Sequence, residues 1–187
     1  MIPGCASWQD SHNNKAFLAG QIAATNNGIS IYVAAKNDPE MKEIAKDTYH
    51  AELPVGPVGK PTQLHLFDQA FIFKHTAVPN AAKHFLMFML EKEQAAPWMD
   101  AMAGYVTPGL KVYRDLPVWT SDPKHTAYRD CVKNMKWNGY PGPIGPASAA
   151  VMAEYVVVDM FANYCTRGMS KDAVIARAEK QIARAYR

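Results

Sequence analysis

An α/β, helix-rich fold with incomplete sheets is what the sequence predicts, and three observations predict it. Apolar residues recur at helical spacing in about six segments. Only about two or three short runs read as strands, and long helical stretches separate them. A complete α/β domain has about five or six strands in its sheet. The sheet is therefore short of partners, as it is when part of a fold is absent.

The elements follow in order. Asn13 or Asn14 can cap a helix from Lys15 to about Thr25, with Phe17, Leu18 and Ile22 among its apolar positions. Gly28 ends the turn, and Ile29 to Ala34 reads as a strand. Asp38-Pro39 starts a helix to about Thr48, with Met41, Ile44 and Ala45 inward. Leu53 to Pro61 is too rich in glycine and proline for anything but a loop. Leu64 to Lys74 reads as one long strand or two short ones. From Asn80 to Leu90 the residues Ala82, Phe85, Leu86, Met89 and Leu90 keep a helical period. A further helical piece ends near Gly104, interrupted at Pro97. Asp122-Pro123 caps a helix to about Lys136 that buries Ala127, Cys131, Val132 and Met135. Gly139 to Pro146 is a loop. Ser148 to Thr166 is apolar on most faces and predicts one continuous helix buried on most sides, closed by Gly168. Ser170 caps the last helix, with Val174, Ile175, Ala178, Ile182 and Ala185 on its apolar side.

Composition excludes several classes of function. The 187 residues are 49% hydrophobic and 20% charged, an ordinary globular balance with room for a core. A net charge of +3 is too mild for nucleic acid or an anionic membrane. The row Arg177, Lys180, Arg184 and Arg187 reads as the solvated face of the last helix. Cys5, Cys131 and Cys165 are odd in number and include no CxxC, which argues against a disulfide framework or zinc site. Cys131 and Cys165 fall on helix faces expected to be buried. No apolar run is long enough to span a membrane, and no signal sequence opens the chain.

The motifs point away from catalysis. Gly56 to Thr62 resembles a phosphate loop only superficially, since Pro54 replaces the first glycine and Pro61 follows Lys60. Proline removes backbone donors that phosphate needs. None of His12, His50, His65, His75, His84 and His125 forms a close metal pair. Gly28-Ile29-Ser30-Ile31-Tyr32 fails as a nucleophile elbow. Asp159, in an apolar helix, needs a hydrogen-bond partner. The aromatic residues are more informative. Trp8, Tyr32, Tyr105, Trp119, Trp137 and Tyr140 fall in loops or at strand ends, where rings can stack on the apolar face of a sugar while neighbouring Asn, Asp and Ser read its hydroxyls.

The order of segments carries a resemblance. Asn13-Asn14-Lys15-Ala16-Phe17-Leu18-Ala19-Gly20 followed by Ala24 to Tyr32 resembles the AFxxGxxAxxxxG passage of family 1 extracellular solute-binding proteins. Leu53 to Lys60 is similar to their LPxGPxGK segment, and Ala70 to Phe73 with Asn80 to Met89 to their crossover strand and xxAAxxFLxFM helix. Gly104-Tyr105-Val106-Thr107-Pro108 matches a family turn, and the last two helices, with Gly168 between them, match its C-terminus. Burial of the Ser148–Thr166 helix is a test of this assignment, and a strand there, or a helix exposed on two faces, would reject it.

The resemblance implies the helix-rich C-terminal portion of a two-lobed periplasmic-binding-protein fold (type II), with residues 1–187 contributing to both lobes. The lobes would close on the ligand as a hinged trap. It also implies that the family's N-terminal half, and any signal sequence with it, has no counterpart in this chain. The expected role is the periplasmic substrate-binding component of an ABC importer, handing a sugar or polyol to permease subunits. No cofactor, metal or catalytic residue is expected, and no nucleic acid. Ser30 stands where many members place a tryptophan against the sugar, and Tyr32 follows it. Tyr140 and Trp137 lie in a segment matching a cleft-facing loop, and His65 and Asp68 on a strand that passes the cleft. These six are the expected ligand residues. A cytoplasmic enzyme domain and a helical interaction module are the rival readings. Loss of one lobe would uncover apolar surface, so self-association is expected too.

Overall fold

The computed structural model describes residue 2, residues 4–64 and residues 69–187. It is 56% helical and 2% strand, a helix-rich chain with a rudimentary sheet as expected. The chain divides into two compact units: Ser11–Met135, and Lys136–Arg187 together with Met1–Asp10.

In the Ser11–Met135 unit, α1 (His12–Leu18) is shorter than the helix predicted to Thr25. The next helix, α2 (Ser30–Asn37), replaces the predicted strand at Ile29–Ala34. A short apolar run fits a strand or a buried helix equally well in sequence. Packing decides it here: Ile29, Tyr32 and Ala35 recur every third residue and are all buried. They pack with Ala45, and with the partly buried Leu18, Met41 and Ile44 around them. Asp38 Oδ1 accepts from the Glu40 N–H at 2.9 Å and starts the turn Pro39–Met41 that leads into α3 (Lys42–Asp47). Lys124 Nζ donates to the Ala45 and Lys46 carbonyls and so satisfies the C-terminal end of α3.

The predicted strand over Leu64–Lys74 survives only as β1 (Gln63–Leu64), since residues 69–74 form no strand. β1 pairs with β2 (Met135–Lys136). Glu52 holds this region: its Oε2 accepts from Asn134 Nδ2 at 2.7 Å and from Gln63 Nε2 at 3.4 Å. The glycine-rich segment before it is a plain turn, in which the Gly59 N–H donates to the Gly56 carbonyl.

Two helices follow, α4 (Pro79–Met89) and α5 (Lys92–Ala101), the second running through Pro97 without ending there. α5 buries Ala95 and Met99 against Tyr113, Leu116, Val118 and Trp119. Tyr113 donates its hydroxyl to the Leu90 carbonyl. Trp119 lies on the short α6 (Pro117–Thr120) and is fully buried. Gly104, with φ +82°, sits under His125 Nδ1, Trp119 and Ile29, where a side chain would meet atoms at 3.3–3.5 Å. Asp122 caps as predicted, its Oδ1 accepting from the Lys124 N–H at 3.0 Å. The helix beyond it is a succession of short turns around α7 (Thr126–Cys131), and Ala127, Cys131, Val132 and Met135 are half-buried rather than buried.

In the other unit, the predicted helix Ser148–Thr166 is two helices, α8 (Pro146–Ala153) and α9 (Val156–Arg167). They meet at Tyr155, whose φ of +52° is left-handed and cannot continue a right-handed helix. Neither is buried on most sides. Met152, Tyr155, Val157, Val158, Phe161 and Tyr164 are all exposed, and so is Cys165. The burial test set on this segment is therefore failed. Apolar residues on every face call for layers on every side, and this unit supplies one layer. That layer is α10 (Lys171–Ala185), which packs on α9 and α8 through buried Val174 and Ala178. Gly168 closes α9 at φ +68°, and Ser170 Oγ accepts from the Ala173 N–H at 3.3 Å. Arg177, Lys180, Arg184 and Arg187 are exposed, as a solvated face should be.

Candidate functional site

A hollow lies at the N-terminal end of α2. It is open, about 400 Å³, and lined by Ile29, Ser30, Val33, Ala34, Met102 and Tyr105. The turn at Ala103 and Gly104, both with positive φ, ends the α5 segment and swings Tyr105 to the surface, where it is exposed. Beside this apolar hollow lies a cluster of amides and hydroxyls. Asn14 Nδ2 donates to Ser30 Oγ at 3.0 Å. Asn27 Nδ2 donates to Ser30 Oγ at 3.2 Å and to Asn14 Oδ1 at 3.1 Å. Asn13 Nδ2 donates to Thr25 Oγ1 at 3.3 Å. An apolar hollow with an aromatic wall and a few fixed polar groups is the usual make-up of a small-molecule site.

Tyr32 lies two residues from Ser30 but in a different environment. It is buried, and its hydroxyl donates to Asp122 Oδ2 at 2.6 Å. Lys36 Nζ donates to the same oxygen at 2.8 Å. Tyr32 also meets the rings of His50 and His125 edge-on, at 5.4 and 5.9 Å. Burial and the bond to Asp122 push the Tyr32 hydroxyl up to about 12. Burial alone would raise the Asp122 carboxyl, but the hydrogen bonds from Lys36, Tyr32 and the Lys124 backbone outweigh it and hold the group well below the carboxylate range. Sequence reasoning passed over Asp122 except as a cap. It also passed over Asn14, Asn27, Met102 and the part Tyr105 plays in the pocket. The asparagines beside Ser30 in the N-terminal motif were the one signal available.

In the other unit, Trp137 and Tyr140 are neighbours at 5.3 Å, edge to face, and both are partly exposed. Trp137 Nε1 donates to the Gly142 carbonyl at 2.7 Å, which closes the loop on itself. Lys136 Nζ sits 5.0 Å from the Tyr140 ring centre. Gly139, at φ +88°, lies 3.0 Å from Ser148 Cβ at the position a side chain would take, so only glycine fits there. His65 and Asp68 lie outside the described residues. A second hollow, about 300 Å³, lies between Lys111, Arg114, Asp115 and Arg129, and both of its arginines bond Asp130 at 2.8–2.9 Å. Among the described residues, no group of three or more His, Cys, Asp or Glu is placed to hold a metal. Nor is any described helix long and apolar enough to cross a membrane.

Comparison with known families decides the assignment. Residues 2–127 match the model of the bacterial extracellular solute-binding proteins. The chain belongs to that family. No curated protein matches the sequence. The matched span contains the α2 pocket, its asparagines and Tyr105, and it stops short of α8 and α9, so the failed burial test bears on residues beyond it. Membership in the solute-binding family gives the chain a substrate-binding role in transport, a small-molecule ligand and transporter partners in general. The family is generally non-enzymatic, and it works at an extracellular or periplasmic location.

Proposed function

We propose that this chain belongs to the periplasmic substrate-binding component of an ABC importer and captures a sugar or polyol for its permease subunits. The observation that carries the reading is the α2 pocket, in which an apolar hollow walled by Tyr105 adjoins the Ser30, Asn14 and Asn27 cluster. Sugars present both an apolar ring face and a rim of hydroxyls, and such a pocket answers each with its own kind of surface. Ser30, Trp137 and Tyr140 remain the proposed ligand residues with accessible side chains. Tyr32 would act from beneath the pocket, through the placement of α2. His65 and Asp68 are proposed from the family resemblance alone.

We also propose that residues 1–187 are the C-terminal part of a two-lobed protein and contribute to both lobes. The support is the exposed apolar surface on α4 and α9, which is what a helix layer looks like before its neighbours are in place. Titration of the chain with a panel of sugars and polyols, read by intrinsic tryptophan fluorescence and by calorimetry, tests the function. Saturable binding of one member supports it. Silence across the panel in a chain that includes both lobes would sink it.

A further inference from the structure

The three hydrogen bonds around Ser30 fix more than geometry. Amide oxygen and nitrogen can be exchanged by a flip of either asparagine, so each orientation has to be checked. Flipping Asn14 alone sets two NH₂ groups against each other, and flipping Asn27 alone sets two carbonyl oxygens together. Flipping both leaves two carbonyl oxygens competing for the single hydroxyl hydrogen of Ser30. Only the orientation with both Nδ2 groups donating to Ser30 Oγ makes all three contacts bonds. Both lone pairs of Ser30 are then taken, and its O–H hydrogen is left without an acceptor among the described residues.

We infer that Asn14 and Asn27 are positioning residues that lock Ser30 as a hydrogen-bond donor only. The pocket thereby selects solutes that bring an acceptor oxygen to it and disfavours those that bring only a donor. The inference rests on the solute-binding reading for its biological sense. Its chemistry depends on the pocket alone. A ligand N–H pointed at Ser30 finds no free lone pair and forfeits its bond to water, and a site built this way discriminates strongly. A ligand carbonyl, ether or hydroxyl oxygen receives the waiting hydrogen.

Two small neutral rings of similar size separate the cases: cyclopentanone, which only accepts, and pyrrole, which only donates. Binding is read from the methyl resonances of Ile29 and Val33. Cyclopentanone should bind at least about tenfold more tightly than pyrrole, the ratio one hydrogen bond commonly supports. Ser30→Ala, at a helical position that alanine suits, should abolish the preference. Asn14→Leu frees one lone pair and releases Asn27 to turn its own carbonyl to Ser30, so pyrrole should gain affinity relative to cyclopentanone, a result that mere loosening of the fold would not give. Equal affinities in the unmodified chain, a preference that survives Ser30→Ala, or no methyl shift with either ring would overturn the inference. Sugar binding alongside indiscriminate rings would remove the donor lock and leave solute capture standing. Discriminating rings with no sugar binding would do the reverse.

Discussion

Tyr32 is fastened at both ends, its ring in the core with Ile29, Ala35 and Ala45 and its hydroxyl on Asp122. Tyr32→Ala should therefore cost about 3–5 kcal/mol of stability before any effect on ligand can be seen. Tyr32→Phe is the informative change. It should cost about 1–2 kcal/mol in urea unfolding and leave solute affinity nearly unchanged. A large loss of affinity with little loss of stability would put the hydroxyl in direct contact with ligand. The neighbouring His50 makes a pH prediction. Burial lowers it below 6.5, its bond to the Lys124 carbonyl offsets part of that, and nearby His125 and Lys124 lower it further, while Asp122 pulls the other way. Its folded value lies below its unfolded one, so the unfolded chain takes up the proton first. Stability is complete above pH 6.5 and should fall as the pH drops below that towards the folded value. Unfolding midpoints between pH 7.5 and 5 test this, with His50→Gln expected to flatten the slope. Asp122 acts in a separate, more acidic window: its folded value is depressed, so its contribution is full above the unfolded value of 3.8 and is lost as the pH falls from there towards the folded value.

At the scale of elements, α9 presents Val157, Phe161 and Tyr164 along one side of the helix, with Val158 beside them, opposite the buried Val156 and Asn163. α4 is similar: none of its residues is buried, and Phe85, Met87, Phe88 and Met89 are exposed. Contiguous apolar faces of this kind favour association. The chain should self-associate at micromolar concentrations, and Phe161→Glu should raise the monomer fraction in light scattering. Because Phe161 is mostly in solvent, the thermal midpoint should move little, as for other surface changes within about 0.5 kcal/mol. An unchanged oligomer with Phe161→Glu would place the contact elsewhere.

At the scale of the whole molecule, a site gains affinity as it covers more of the ligand's surface and matches more of its polar groups. The α2 pocket is open. A longer chain that completes both proposed lobes should bind its solute at least about a hundredfold more tightly than residues 1–187, which corresponds to roughly 2.7 kcal/mol. It should also lose the tendency to associate, because the same added surface covers α4 and α9. Calorimetry and light scattering on the two lengths give both readouts. Equal affinity and equal association would mean that residues 1–187 carry the complete site.

What the sequence determined by itself was local or collective. Capping at Asp38, Asp122 and Ser170 and the closure at Gly168 were legible because each depends on a few neighbouring backbone groups. The family was legible because motifs in a fixed order are a property of the string, and so was the shortage of strands. Tertiary structure decided the rest. The run Ile29–Ala34 suits a strand or a helix by composition, and it became helical because Ile29, Tyr32 and Ala35 had one core to enter. The apolar helix after Ser148 was expected to be buried, yet hydrophobicity describes a demand for neighbours and cannot supply them. Most of the candidate site was hidden for the same reason. Ser30 could be named from the chain, but its polarity is set by Asn14 and Asn27, sixteen and three residues away, and its wall by Met102 and Tyr105. Those approaches exist only once the chain has folded and long-range packing has chosen which distant side chains share a space.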